Sequence, residues 1–122
     1  MNRIVSSLGA MLALAILVTP ADAADDAVKT ALQAYGSAAG KISASVPFCG
    51  GPAEEVDYFE RQVKELAEKA GADPIEWSVI QTSLEKARDQ AEIGNHHCTE
   101  DGGRALATDL LEKQKALQAA LN

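Results

Sequence analysis

Residues 56–90 read VDYFERQVKELAEKAGADPIEWSVIQTSLEKARDQ, and this stretch decides the fold because it holds two amphipathic segments and the break between them. Apolar residues recur there at spacings of three and four, the period of a helix with one buried face. Gly71 is a natural helix terminator. Asp73, Pro74 and Glu76 then supply an N-cap, a proline at the first helical position and the acid of a capping box. The stretch therefore predicts two consecutive helices.

The same spacing extends outward on both sides and gives four apolar stripes. No segment alternates with period two for long enough to predict a strand. The stripes are Val28, Leu32, Tyr35, Ala39, Ile42 and Val46; Val56, Phe59, Val63, Leu66 and Ala70; Trp77, Ile80, Leu84, Ala87 and Ala91; and Leu106, Leu110, Leu117 and Leu121. Such stripes are typical of helices that pack at shallow angles. We therefore expect an all-α protein, a small up-down-up-down four-helix bundle.

Proline, glycine and capping residues predict the remaining helix boundaries. Proline is unfavourable inside a helix, and two adjacent glycines weaken one. The first helix is predicted to have a cap at Asp25 or Asp26 and to end before Pro47, and the second to start at Gly51-Pro52. The third is predicted to end at Gly94-Asn95. The fourth starts either at Thr99 or after Gly102-Gly103, and the cost of two adjacent glycines favours the later start.

The first 23 residues have the pattern of a secretory signal peptide. Arg3 is followed by an apolar run over residues 8–18, by Pro20, and by the small residues of Ala21-Asp22-Ala23. The apolar run is shorter than the roughly 20 residues that span a bilayer, which argues against a membrane anchor. We expect cleavage after Ala23, a single helical domain over residues 24–122, and a periplasmic or secreted protein that is not in the membrane once the signal is removed.

The chain has two cysteines, Cys49 and Cys98, and an exported protein is expected to join them in a disulfide. A thiolate pair on a metal and an intermolecular bridge are the alternatives. Cys49 lies in the first predicted connection and Cys98 in the third, which an up-down-up-down bundle places at one end. The bond would close a loop of about 50 residues, worth roughly 4 kcal/mol in the chain-entropy model.

The net charge of −7 restricts the expected partners. Nucleic acids and anionic lipids require a basic surface, so neither is expected. An acidic surface permits a basic protein partner or cations, although solubility alone also explains it.

A cluster of metal-ligand side chains follows the third helix: His96, His97, Glu100 and Asp101. Imidazole and carboxylate groups bind zinc or copper, so these four residues are a candidate metal site. A solvated polar loop beside a structural disulfide is the plainer interpretation. The two histidines could also act as a pH sensor, because the unperturbed pKa of histidine is roughly 6.5.

The first helix contains five consecutive small residues over positions 36–40. Close approach of a neighbouring helix explains such a run. The alternative is a groove for a ligand or a partner side chain, lined by Gly36, Ala39, Gly40, Tyr35 and Trp77.

Catalytic and cofactor motifs are not found in the sequence. There is no G-x-S-x-G, no H-E-x-x-H, no phosphate-binding glycine loop and no C-x-x-C-H for haem attachment. We therefore expect no enzyme and no cofactor beyond a weakly bound metal ion. The expected function is an exported binding protein that acts on a protein partner, in the manner of a chaperone or of an inhibitor or immunity protein. The alternative is a periplasmic zinc- or copper-binding protein that uses the His96/His97 loop.

Overall fold

The computed structural model describes the backbone of residues 2–122 and the side chains of residues 25–122. Its helices are α1 (Asn2–Phe48), α2 (Ala53–Ala70), α3 (Pro74–Gln90), a short 3₁₀ helix (Asn95–Cys98) and α4 (Glu100–Leu121). The described residues contain no β-strand, and a disulfide joins Cys49 to Cys98. The all-α, disulfide-linked bundle is therefore confirmed. The predicted signal peptide, residues 1–23, lies outside the residues whose side chains are described.

Helix α1 is the centre of the bundle and contacts α2, α3 and α4, with α3 packed closest. Gly36 lies against the Ile80 carbonyl and Gly40 against the Leu84 carbonyl, so residue numbers rise in the same direction along α1 and α3. The disulfide joins the end of α1 to the start of α4.

The hydrophobic core occupies the half of the bundle that is remote from the disulfide. Its largest fully buried apolar side chains are Tyr35, Ile80, Leu84, Leu117 and Val63. No residue over positions 46–62 or 85–109 is buried. The stripes predicted this core well, because all five of those residues belong to them.

Two predicted boundaries are confirmed at the level of individual hydrogen bonds. Gly71 ends α2 with φ +110°, the left-handed conformation that favours glycine, and its N–H donates to the last carbonyls of the helix. Asp73 caps α3: its Oδ1 accepts from the Glu76 N–H at 2.7 Å, and the Asp73 N–H donates to Glu76 Oε1 at 2.9 Å. The start of α2 after Gly51-Pro52 is confirmed as well.

The boundaries of α1 and α3 differ from the prediction. Helix α1 includes Asp25 and Asp26 and continues through Pro47 to Phe48. Proline removes one N–H donor from the last turn, but the next turn still closes through the Cys49 N–H and the Ser45 carbonyl, 2.9 Å apart. Helix α3 ends at Gln90, before Gly94, because Ala91 is extended with φ −67° and ψ 133°.

Helix α4 begins at Glu100 behind a Thr99 cap, which is the earlier of the two predicted starts and not the favoured one. Thr99 caps it, since its Oγ1 accepts from the Gly102 N–H at 3.0 Å. Gly102 lies so close to the His96 carbonyl that any side chain there would collide with it. Gly102 therefore permits a close contact between the first turn of α4 and the His96 carbonyl. The favoured prediction had placed Gly102 before the helix.

Candidate functional site

The end of the bundle at the disulfide carries most of the residues that the sequence had marked as candidates. The sulfur atoms of Cys49 and Cys98 are bonded at 1.98 Å, with a Cα–Cα distance of 5.5 Å. Both cysteines are exposed. Cys98 closes the 3₁₀ helix, which also contains His96 and His97 and has no buried residue.

The imidazole rings of His96 and His97 lie side by side in the 3₁₀ helix. Their ring centroids are 3.8 Å apart and the ring planes are inclined by 41°. His97 Nδ1 accepts a hydrogen bond from the Gly94 N–H at 3.0 Å, which closes the turn. The His96 carbonyl accepts from Thr99 Oγ1 at 2.7 Å.

The two predicted acidic ligands are engaged with a cation. Arg104 reaches Glu100 at 2.8 Å and Asp101 at 3.5 Å, one turn along the same helix. Within the part of the chain whose side chains are described, no group of three or more histidine, cysteine or acidic side chains is arranged to hold a metal ion. The spacing of Arg104, three residues after Asp101 and four after Glu100, is the sequence signal for this pairing, and it was not among the predictions.

Four of the five residues proposed to line a groove are buried inside the bundle. Gly36 and Gly40 face the backbone of α3, and Tyr35 and Ala39 are fully buried. Trp77 packs against the same core and also lines a cavity of about 170 Å³ beside Pro74 and Lys64. The small-residue stretch is therefore a helix contact.

Tyr35 is the buried ionisable group that the environment affects most. Its hydroxyl donates to the Val63 carbonyl at 3.1 Å and ties α1 to α2. Burial raises the pKa of Tyr35 from 10.0 to about 12, because the phenolate would lose its hydration. Nearby in the sequence, the Ser43 hydroxyl is buried and has no hydrogen-bond partner among the described residues.

A polar groove lies on the outer surface where α1 and α3 meet, and the sequence did not predict it. It measures about 500 Å³ and is lined by hydroxyl, amide and lysine side chains. Its residues are Gln33, Ser37, Thr82, Ser83, Lys86, Ala87 and Gln90.

Among the side chains that are described, four large apolar ones remain exposed: Phe48 at 50%, Tyr58 at 56%, Ile75 at 78% and Leu111 at 56%. None belongs to an apolar stripe, so the sequence pattern could have identified them. Tyr58 lies on α2, in which eleven of eighteen residues are exposed and three are buried.

Within residues 25–122, whose side chains are described, none of the helices is long and apolar enough to cross a membrane. Comparison with protein families, with curated proteins and with solved structures found no significant match.

Proposed function

We propose that the chain is an exported, non-enzymatic binding protein whose ligand is a protein partner. The observation that supports this most is the exposed face of α2, which combines an aromatic side chain with an excess of carboxylates. Tyr58 is 56% exposed and its hydroxyl accepts a hydrogen bond from Gln62 Nε2 at 3.1 Å; Glu54 and Glu55, four and three residues before it on the same helix, are exposed as well. Tyrosine offers a large rigid contact area with a polar tip, which is why it is common in protein interfaces.

The charge of α2 favours a basic partner. The helix contains six acidic and three basic residues, in a chain of net charge −7. Complementary charge accelerates encounter, and the aromatic side chain would supply an apolar anchor. This combination suits either an inhibitor or immunity protein, which neutralises one basic target, or a chaperone, which holds many.

The face of α2 is held in place before any partner binds. Val63, Ala67 and Ala70 fix its inner side in the core. The Glu60 carboxylate pairs with Arg88 of α3 at 3.1 Å, on the flank of the helix. A preorganised surface loses less conformational entropy on binding than a mobile one, so it binds more tightly for the same contacts.

Site-specific photo-crosslinking in exporting cells tests this proposal. A photoreactive amino acid replaces Tyr58 in one variant and Leu111, which is equally exposed, in the control. We expect adducts from position 58 and few from position 111. A single adduct would favour the inhibitor or immunity role, and a broad set would favour the chaperone role. Equal yields from the two positions, or none from position 58, would contradict the proposal.

A binding assay is the second test of the proposed function. The purified domain is titrated with two unfolded model polypeptides of equal length, one basic and one acidic. We expect preferential binding of the basic polypeptide, weakened by Tyr58→Ala and unchanged by Leu111→Ala. Charge-independent binding would refute the role assigned to the carboxylates.

A further inference from the structure

We propose that the Cys49–Cys98 disulfide is a substrate for a dithiol oxidoreductase, and that its reduction opens only the adjacent end of the bundle. Thiol–disulfide exchange requires a thiolate to reach one sulfur, so access governs whether a native disulfide reacts. Both cysteines are exposed. On the side of Cys49, Gly50 has φ +90°, and apart from its two chain neighbours no heavy atom lies within 4 Å of the position its Cβ would occupy, so the turn next to Cys49 is open on that side.

The structure around the disulfide can loosen without disturbing the core. No residue over positions 46–62 or 85–109 is buried, and of the hydrophobic residues in these two ranges only Phe59 packs against the core cluster. The connection over residues 91–99 is held by short-range hydrogen bonds, such as the one from the Gly94 N–H to His97, and by the disulfide itself. Segments with few buried contacts open at low free energy, so breaking the bond would free this connection first.

The positions of the two cysteines on their helices predict which sulfur is attacked. Cys49 follows the C-terminal end of α1, where the helix dipole is negative, and Cys98 lies just before the N-terminal end of α4, where it is positive. A thiolate is more stable at the positive end and leaves more readily from there. Glu100 and Asp101 oppose this effect, but Arg104 pairs with both carboxylates.

The reaction follows from this assignment and is balanced. A reductant thiolate attacks Cys49 Sγ, a new disulfide forms between them, and the Cys49–Cys98 bond breaks with Cys98 leaving as a thiolate that takes up a proton. The second thiol of the reductant, as its thiolate, then attacks the reductant sulfur of the mixed disulfide and releases Cys49. The protein gains two electrons and two protons, and the dithiol is oxidised to a disulfide.

The rate of reduction tests accessibility and local opening together. The disulfide form is treated with dithiothreitol in native buffer and in denaturant, and free thiols are counted over time. We expect the native rate to lie within about tenfold of the denatured rate, as for an exposed disulfide. After reduction, hydrogen exchange should rise at amides 91–99 and stay slow at Tyr35 and Ile80. A native rate about a thousandfold slower, or loss of protection throughout the core, would overturn the proposal.

Trapping the mixed disulfide tests the direction of attack. The probe is a thioredoxin-type reductase whose resolving cysteine is replaced by alanine, and the adduct is mapped by peptide mass. We expect linkage to Cys49, and an adduct at Cys98 would reject the assignment.

Arg104→Gln should slow reduction about two- to fivefold by leaving Glu100 and Asp101 unpaired. The matched control is Lys113→Gln, which removes the other i,i+4 cation of α4, paired with Asp109, and should leave the rate unchanged. Equal effects of the two substitutions would refute the electrostatic argument.

Discussion

Replacing Gly40 with alanine is the sharpest perturbation of the contact between α1 and α3. A Cβ at this position would collide with the Leu84 carbonyl and would lie 2.7 Å from the Ala87 Cβ and 2.9 Å from the Arg88 amide nitrogen. Two of these three neighbours are backbone atoms of α3, which cannot rotate away as a flexible side chain can. The two helices would have to move apart along the length of their contact.

Two opposing terms give the size of the effect. Alanine is intrinsically better than glycine in a helix by about 1 kcal/mol. Inserting a methyl group into a closely packed contact typically costs about 1–3 kcal/mol, and the rigid neighbours place this site at the upper end. The expected net destabilisation is therefore about 2 kcal/mol, which lowers the melting temperature of a domain of this size by about 8–16 °C.

Thermal and urea unfolding of the disulfide-intact domain measure this effect, and Gly103→Ala is the control. Gly103 is also helical, but nothing lies within 4 Å of its added Cβ. It should show only the propensity gain, a stabilisation of about 0.5–1 kcal/mol. If Gly40→Ala also stabilised the protein, the small residues of α1 would not be a helix contact and the packing argument would be wrong.

Three further predictions concern single side chains. Because the pKa of Tyr35 is about 12 when folded and 10.0 in the reference state, deprotonation favours the unfolded chain above pH 10. The free energy of unfolding should therefore fall by about 1 kcal/mol more between pH 9.5 and pH 11 than it does in Tyr35→Phe, as measured by urea titration. Ser43→Ala should stabilise the fold by about 1 kcal/mol in the same assay, because it removes a buried hydroxyl without a partner; a loss of stability would indicate that this hydroxyl is hydrogen-bonded. Asp73→Ala should destabilise by about 1 kcal/mol through loss of the capping box of α3, and an unchanged midpoint would count against that role.

The helices and their core were predictable because each depends on local signals. Asp73, Pro74 and Glu76 specify a helix start whatever surrounds them. The spacing of apolar residues within each helix specifies its buried face, to which Leu32, Ile80 and Leu117 belong in α1, α3 and α4. The stripes omitted Ala38 and Ala67, which are also buried. Alanine is small enough for either face of a helix, so its burial depends on how closely the neighbouring helix approaches.

The start of α4 and the surroundings of the histidine and acidic cluster were harder to predict. They depend on contacts between residues whose packing the sequence does not show, and on a cation that competes for the carboxylates. The later start of α4 was favoured because the helix cost of glycine is known from sequence, whereas the contact of Gly102 with the His96 carbonyl is not. The grouping of histidines and acids suggested a metal site, and that site stays a prediction. The structure adds Arg104, which pairs with Glu100 and Asp101 and competes with a metal ion for these carboxylates.

The claim that this is an exported, disulfide-linked domain is tested by an intact-mass measurement. The protein is recovered from outside the cytoplasm, its thiols are blocked, and no reductant is added. The account predicts a chain that begins at Ala24 and is lighter by the two thiol hydrogens of Cys49 and Cys98. A chain that retains its first 23 residues, or one that carries two blocked thiols, would contradict the account.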